Sequence, residues 1–437
     1  MLFGNKKQAA LSDALAQQRR TGGYWSIVKT QFGKNRVALW SLRFLYIFLF
    51  VALFGQFIAN DKPLYAKLNG EHLFPAFKEL GVDLGLTKWS ADLVHADWKK
   101  MEYQSVIRAP IPYSSSKSDL KNIYKGPFDQ QRVSSNRYRH WLGTDALGQD
   151  VLAGMIHGTR IAMSVGFVVM SIAAFIGFFF GAVAGYFGDD RLRLSRGTII
   201  MNVLGFLFAI YYAFVVRSYA IRHAESLWLE LAKSVLLFLV VLLLFNLLSL
   251  FLNRISWLGQ KLPVAADVII MRVIELMTAI PGLFFLLAAI PLFREPSVFN
   301  VMVLLGLISW PAIARFVRGE LIRVRNMNYI EAAQAMGFSE WRVVLKHALP
   351  NALTPVLITI AFGIAGAILA ESALSFLGIG VDPGDTTWGQ LLAKGRNKYS
   401  AWWLTVFPGL AIFFTVTIFN LIGEGLTDAL DPKQGGQ

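Results

Sequence analysis

Residues 329–350 read Y-I-E-A-A-Q-A-M-G-F-S-E-W-R-V-V-L-K-H-A-L-P. Glu331-Ala332-Ala333 begin a short helix, and Gly337 lets the chain turn without a Cβ clash. Trp341, Val344 and Leu345 then resume an apolar face, and Leu349-Pro350 is expected to stop that segment and start the next one. The pattern is a helix–Gly–helix element whose small alanines suit entry into a groove of another protein. By periodicity alone it is equally an amphipathic linker.

What lies on either side decides the fold class. Apolar blocks run over residues 298–317 before this element and 351–377 after it. Similar blocks cover 37–59, 160–187, 198–216, 231–252, 264–293 and 402–426. Of the 437 residues, 55% are hydrophobic and 16% charged, with mean hydropathy +0.49. A soluble chain carries about 25% charged residues. Blocks of this length and purity predict an all-α polytopic membrane protein with eight spans. They exclude a soluble enzyme and a disordered chain. With no cysteine, a disulfide scaffold, a thiolate metal site and a cysteine nucleophile are excluded as well.

The chain holds 42 Lys and Arg against 28 Asp and Glu, a formal charge of +14. On a membrane protein that excess reads as orientation by the positive-inside rule, and no basic–aromatic stripe supports nucleic-acid binding. Residues 1–36 carry seven basic residues, among them Lys6, Lys7, Arg19 and Arg20, against the single acid Asp13. They read as a cytoplasmic N-terminal segment before a first span over 37–59, which is too long for a cleaved leader. Residues 60–159, with 13 basic and 11 acidic residues, form an extracytoplasmic segment or small domain. A second core span follows over 160–188. Its Gly177, Gly181 and Gly185 recur every four residues and share one face suited to close helix packing. Residues 189–263 add two spans around the polar turn Arg217–Glu230. Residues 264–432 hold the remaining spans and the basic loop 318–350, and 433–437 form a short tail. Pro281-Gly282 is expected to kink its span. An even number of crossings places both termini in the cytoplasm.

Signatures of catalysis are missing. There is no G-x-x-x-x-G-K-[S/T] phosphate loop, since Gly33-Lys34 is followed by Asn35. No H-E-x-x-H, no G-x-S-x-G and no ligand-spaced histidines occur. The chain is therefore read as non-catalytic, with no cofactor of its own. Energy must come from a partner or from an ion gradient. Arg272, Glu275 and Glu371 are the ionisable residues inside spans that a gradient-driven carrier would need. Arg272 and Glu275 are one turn apart and suited to pairing. A structural or interfacial role is the plainer reading of all three.

The stretch at 331–350 resembles the EAA loop of ABC importer permeases. Glu331-Ala332-Ala333, Gly337 and Leu349-Pro350 stand at the family's spacing. The resemblance sharpens to the C-type permease subunits of dipeptide and oligopeptide importers. His140-Trp141-Leu142-Gly143-Thr144-Asp145, with Gly148-Gln149-Asp150-Val151-Leu152, resembles their H-x-L-G-T-D-x-x-G-R-D-V-L segment, with Gln149 in place of Arg. Asp267, Met271-Arg272 and Pro281 resemble the start of the third core span. His347 with Leu349-Pro350-Asn351 resembles R-H-x-L-P-N, and Glu371 with Leu374-Ser375-Phe376-Leu377-Gly378 resembles E-x-x-L-S-F-L-G. Trp388-Gly389, Pro408-Gly409 and the closing Asp428-Ala429-Leu430-Asp431-Pro432 also match.

The resemblance implies a six-span core and a cytoplasmic loop, with Glu331, Ala332, Ala333, Gly337, His347, Leu349 and Pro350, that docks on a separate ATPase. It implies as partners two ATP-binding subunits carrying ATP and Mg, a second homologous permease and an extracytoplasmic substrate-binding protein. The expected location is a bacterial cytoplasmic (inner) membrane. The two spans in 189–263 depart from the pattern. The long first outside segment, with Asn60-Asp61-Lys62-Pro63-Leu64, resembles permeases associated with longer peptides and peptide antibiotics. Nickel, opine and oligosaccharide importers use similar permeases, and a gradient-driven carrier or channel is the alternative class.

Overall fold

The computed structural model describes residues 29–68, 70–83, 86–90, 93, 98–99, 101–224, 226–293, 295–380, 382 and 384–430. Residues 1–28 of the basic N-terminal segment, Glu225, Asp431-Pro432 and the tail 433–437 lie outside the described residues. Seven described helices are long and apolar enough to cross a membrane, or eight if the broken pair around Pro281 is one span. The protein is an all-α polytopic membrane protein with small non-membrane insertions. It divides into two compact units, 1–176 with 282–313 and 352–437, and 177–281 with 314–351.

In the first unit Asn35 starts the first span, α1 (Arg36–Ile58), by accepting the Ala38 N–H at 3.0 Å. The Asn35 amide also donates to Asp428 at 3.0 Å. A three-stranded antiparallel sheet follows, from β1 (Pro63–Leu68), β2 (Glu71–Leu73) and β3 (Ser105–Arg108) in the order β2-β1-β3. The short helix α2 (Pro75–Asp83) packs beside it.

The H-x-L-G-T-D segment closes into a knot. Gly143 and Gly148 have φ of +82° and +73°, and a Cβ on Gly148 would lie 2.0 Å from the Asp119 carbonyl oxygen. Asp145 Oδ1 accepts the Leu147 and Gln149 N–H groups, both at 2.9 Å. Fully buried His140 sets its Nδ1 2.7 Å from Asp150 Oδ2. The other oxygen of Asp150 accepts the Ala153 N–H at 2.7 Å. That cap starts α3 (Val151–Ala182), so the second span begins at Val151 and not at Arg160. Apolar periodicity alone missed this because His157, Thr159 and Arg160 interrupt the first turns.

The second unit opens with the end of the second span, a π-turn over Val183–Phe187. The expected pair of extra spans is a helical hairpin. It consists of α4 (Arg196–Ile210, extended by a π-turn to Val215), α5 (Ser218–Arg222) and α6 (Leu227–Leu252). Its base is tied by β4 (Arg193–Ser195) pairing antiparallel with β5 (Lys261–Pro263). Three polar contacts run up its inner seam: Asn253 to Thr198 at 2.9 Å, Asn246 to Asn202 at 2.8 Å and Arg217 to Ser234 at 3.1 Å. Small and polar residues hold helices together where lipid offers no hydrophobic driving force, and Gly205 brings Phe245 against α4.

The block at 264–293 is broken as Pro281-Gly282 predicts. It forms α7 (Ala266–Ala279) and α8 (Gly282–Ala289), with Ile280 extended at φ −90° and ψ 120°. Next, α9 (Val298–Val324) carries Pro311 and runs past the expected end at 317. Then come α10 (Asn328–Ala335) and α11 (Glu340–Val343). The expected stop at Leu349-Pro350 is absent. A π-turn over Val344–Ala348 leads without interruption into α12 (Leu349–Phe376). There the Leu349 N–H reaches the Val344 carbonyl. This wider turn gives the proline ring room where an α-turn would drive it into the carbonyl four residues back.

The remaining helices, α13 (Trp388–Arg396) and α14 (Trp403–Leu430), return to the first unit. They clamp the knot: Lys394 Nζ donates to Asp145 Oδ2 at 2.7 Å and Gln149 Oε1 at 2.8 Å, and Trp403 Nε1 donates to the Thr144 carbonyl at 3.1 Å. Buried Glu371 accepts from Ser375 Oγ at 2.5 Å.

Asp145→Ala removes a buried acceptor of three hydrogen bonds. The expected cost is about 3–5 kcal/mol, the range for breaking a buried ion pair, read as a lower melting temperature in nanodiscs. Asp119 supplies a pH test. Burial acts to raise its pKa, but hydrogen bonds from Asn122 and the Lys121 N–H, with His140 nearby, hold it below the usual carboxylate range. A depressed carboxylate stabilises the fold above its unfolded pKa of about 3.9, and that contribution is lost as pH falls through the folded value. Melting temperature should therefore fall below about pH 4. Asp119→Asn should melt lower at pH 7 and show a shallower acid slope.

Candidate functional site

The loop that follows α9 is built to hold a fixed shape while exposed. In α10, Ile330 and Ala333 are buried. Its end is a Schellman turn, with Phe338 N–H on the Ala333 carbonyl at 3.3 Å and Gly337 N–H on the Gln334 carbonyl at 2.9 Å. Gly337 has φ +80°, the left-handed conformation the turn requires, and a Cβ there would meet nothing within 4 Å. Backbone geometry, not space, therefore selects glycine.

The second span braces this loop. The Tyr186 hydroxyl donates to Glu340 Oε2 at 2.7 Å and accepts from Gln334 Nε2 at 2.9 Å. One phenol thus ties α10 to α11 across the Gly337 turn. Arg191 lies 5.3 Å over the Tyr186 ring, and Phe187 packs on Trp341 with ring centroids 5.1 Å apart. Arg325 donates to the Gly185 carbonyl at 3.1 Å. The glycine face packs within the chain. A Cβ on Gly181 would sit 2.7 Å from the Ala314 carbonyl oxygen, and one on Gly185 would sit 2.6 Å from that of Arg318. Gly177 is buried as well.

The resemblance residues divide into two sets. Glu331, Ala332 and Gly337 are exposed, with Ala335, Met336 and Trp341 beside them. Ala333 is buried and so holds α10 down. His347 stacks on Phe338, with centroids 6.1 Å apart and planes 3° from parallel. Leu349 and Pro350 open α12. Tyr186, Gln334 and Glu340 are the residues that sequence reasoning missed. Tyr186 is distant in sequence and stands in an ordinary apolar run, so no local signal marks it. Among the described residues no group of three His, Cys, Asp or Glu is placed to hold a metal. The arrangement is an exposed pair of short helices tied together by the end of the second span.

Comparison with known proteins specifies the class. Residues 247–436 match the family described as binding-protein-dependent transport system inner membrane component, and 23–74 match the N-terminal TM domain of oligopeptide transport permease C. A putative peptide transport system permease protein of Brucella suis is 37% identical over 213 residues, covering 48% of this chain and 72% of that protein. The Agrobacterium fabrum protein named peptidoglycan transport system permease protein YejE is 28% identical over 432 residues, 92% of this chain and 91% of its own length. The Escherichia coli inner membrane ABC transporter permease protein YejE is 28% identical over 410 residues, covering 92% and 96%. The chain belongs to the ABC importer permeases, as a C-type subunit of the peptide and oligopeptide transport family. It is a non-catalytic, multi-pass inner-membrane subunit.

Gly337→Val places a β-branched residue at positive φ, where even an unbranched one costs about 1–2 kcal/mol. Amide exchange over 328–348 should accelerate about tenfold or more. Gly337→Asn, which tolerates this conformation, should accelerate it much less. Equal protection in both variants and in the parent would contradict the role given to the turn.

Proposed function

We propose that this chain is one of two permease subunits of an ATP-driven, binding-protein-dependent importer of oligopeptides. Its 331–350 loop receives the movement of a separate ATPase. The observation that carries this is the braced loop. A docking element that transmits force has to be exposed yet stiff, and the Tyr186–Gln334–Glu340 connection supplies the stiffness. Small Ala332 and Ala335 leave the exposed side of α10 low enough to enter a cleft. Full-length similarity to a permease named for peptidoglycan transport supports peptides, cell-wall peptides among them, as the cargo.

The orientation follows from the same reading. A loop that meets an ATPase is cytoplasmic, as is the basic N-terminal segment. The 196–252 hairpin then crosses twice and exposes its Arg217–Glu230 turn on the outside.

Three measurements bear on this reading. Tyr186→Phe removes the bond to Glu340, worth about 1.5–3 kcal/mol for a charged acceptor. Peptide uptake and peptide-stimulated ATP hydrolysis by the reconstituted importer should fall together, by about 5- to 30-fold if 1–2 kcal/mol of that is expressed. Unchanged uptake would refute the docking role. The chain without its partner permease should transport nothing. Because there is no native cysteine, Ser226→Cys should react with an impermeant thiol reagent from outside and Ser195→Cys should not. Labelling of Ser226→Cys only after permeabilisation would overturn the two-crossing hairpin.

A further inference from the structure

A charged side on a membrane-spanning helix needs something to cover it, and α7 has such a side. At about 100° per residue, Ala266, Ile270 and Ile274 fall together, and all three are buried. Ile269, Val273 and Leu276 fall together, exposed and apolar, as a lipid-facing side is. The third side carries Asp267, Arg272, Glu275 and Thr278. Asp267 is held by two bonds from Arg318 of α9, at 2.5 and 2.6 Å. Arg272 donates to Glu275 at 2.6 Å, yet their side chains are 73% and 52% exposed. Exposed Thr278 accepts from Arg315 of α9 at 3.0 Å, and Arg315 is exposed too.

These groups stand inside their helices and not at the ends. At a rise of about 1.5 Å per residue, Arg272 lies about 9 Å and Thr278 about 18 Å along α7 from Ala266. Arg315 lies about 14 Å from the Val324 end of α9. Ionisable residues within spans face protein or a water-filled cavity.

Two observations favour water over a second protein surface. Arg272 and Glu275 already neutralise each other, so they ask for no partner charge. Arg315 has only a neutral hydroxyl and, among the described residues, no carboxylate. This leaves a cation for an anionic group that comes and goes. The helix also breaks at Ile280-Pro281, one turn beyond Thr278, and Ile280 is exposed. Irregular backbone at membrane depth is tolerated where it lines a cavity.

We propose that Arg272, Glu275, Thr278 and Arg315 line the aqueous path between the two permeases, and that Arg315 there forms a transient station for the carboxylate end of a peptide. The proposal rests on the peptide reading above.

The test uses single cysteines in the importer assembled with its partner subunits. Glu275→Cys and Thr278→Cys react with a charged, impermeant methanethiosulfonate at least about tenfold faster than Leu276→Cys, and saturating peptide with ATP slows the reaction at Thr278→Cys. Thr278→Cys is close to isosteric, so it keeps the test alive if Glu275→Cys fails to assemble. Arg315→Gln slows peptide uptake about tenfold, and Arg315→Lys restores most of it. Equal reactivity at 275, 276 and 278 overturns the proposal. So does reactivity that emerges only when the second permease is removed, which would assign this side to the subunit contact. Loss of peptide uptake by the unsubstituted importer would count against the peptide reading and leave the accessibility pattern standing.

Discussion

Hydrocarbon offers no hydrogen-bond partner, so every polar group between the ends of these spans has to find one inside the protein or face water. A single Asp, Lys or Arg at a helix centre costs about 2.5–3.5 kcal/mol on insertion scales. The chain meets that constraint locally. Glu371 is wrapped by serine hydroxyls, Asp267 by a two-bond arginine, and Asn246 by Asn202. These polar residues inside the spans are fasteners, in contrast to the exposed ones on α7.

Outside the spans the rules reverse, and glycine and carboxylate chemistry take over. Gly143 and Gly148 let the backbone double back so that Asp145 and Asp150 each gather several donors in a small space. Lys394 then pins that knot to the helix before the last span. The same device recurs at the 331–350 loop with different parts. There a left-handed glycine turns the chain and a tyrosine from another element holds the two short helices together.

The helical hairpin of residues 196–252 has its own logic. Its base is a two-stranded ribbon and its seam is polar, while most of its outward leucines and phenylalanines are exposed. The seam bonds Asn246–Asn202 and Arg217–Ser234 join its own two helices.

Fold class, the break at Pro281 and the turn at Gly337 were legible in the sequence. Each is a local property: apolar length, a missing N–H, a conformation open to few residues. The start of the second span, the continuation through Pro350 and the inward packing of Gly181 and Gly185 were not. Asp150 became a helix cap, and a π-turn made room for a proline. The glycine face was filled by Ala314, Val317 and Arg318, more than 130 residues along the chain. The Tyr186 brace was equally hidden, since a phenol in an apolar run carries no sign of its acceptor. Sequence determines which segments must be helical in lipid. Tertiary structure decides which polar atoms meet, because a hydrogen bond depends on placement to within a few tenths of an ångström.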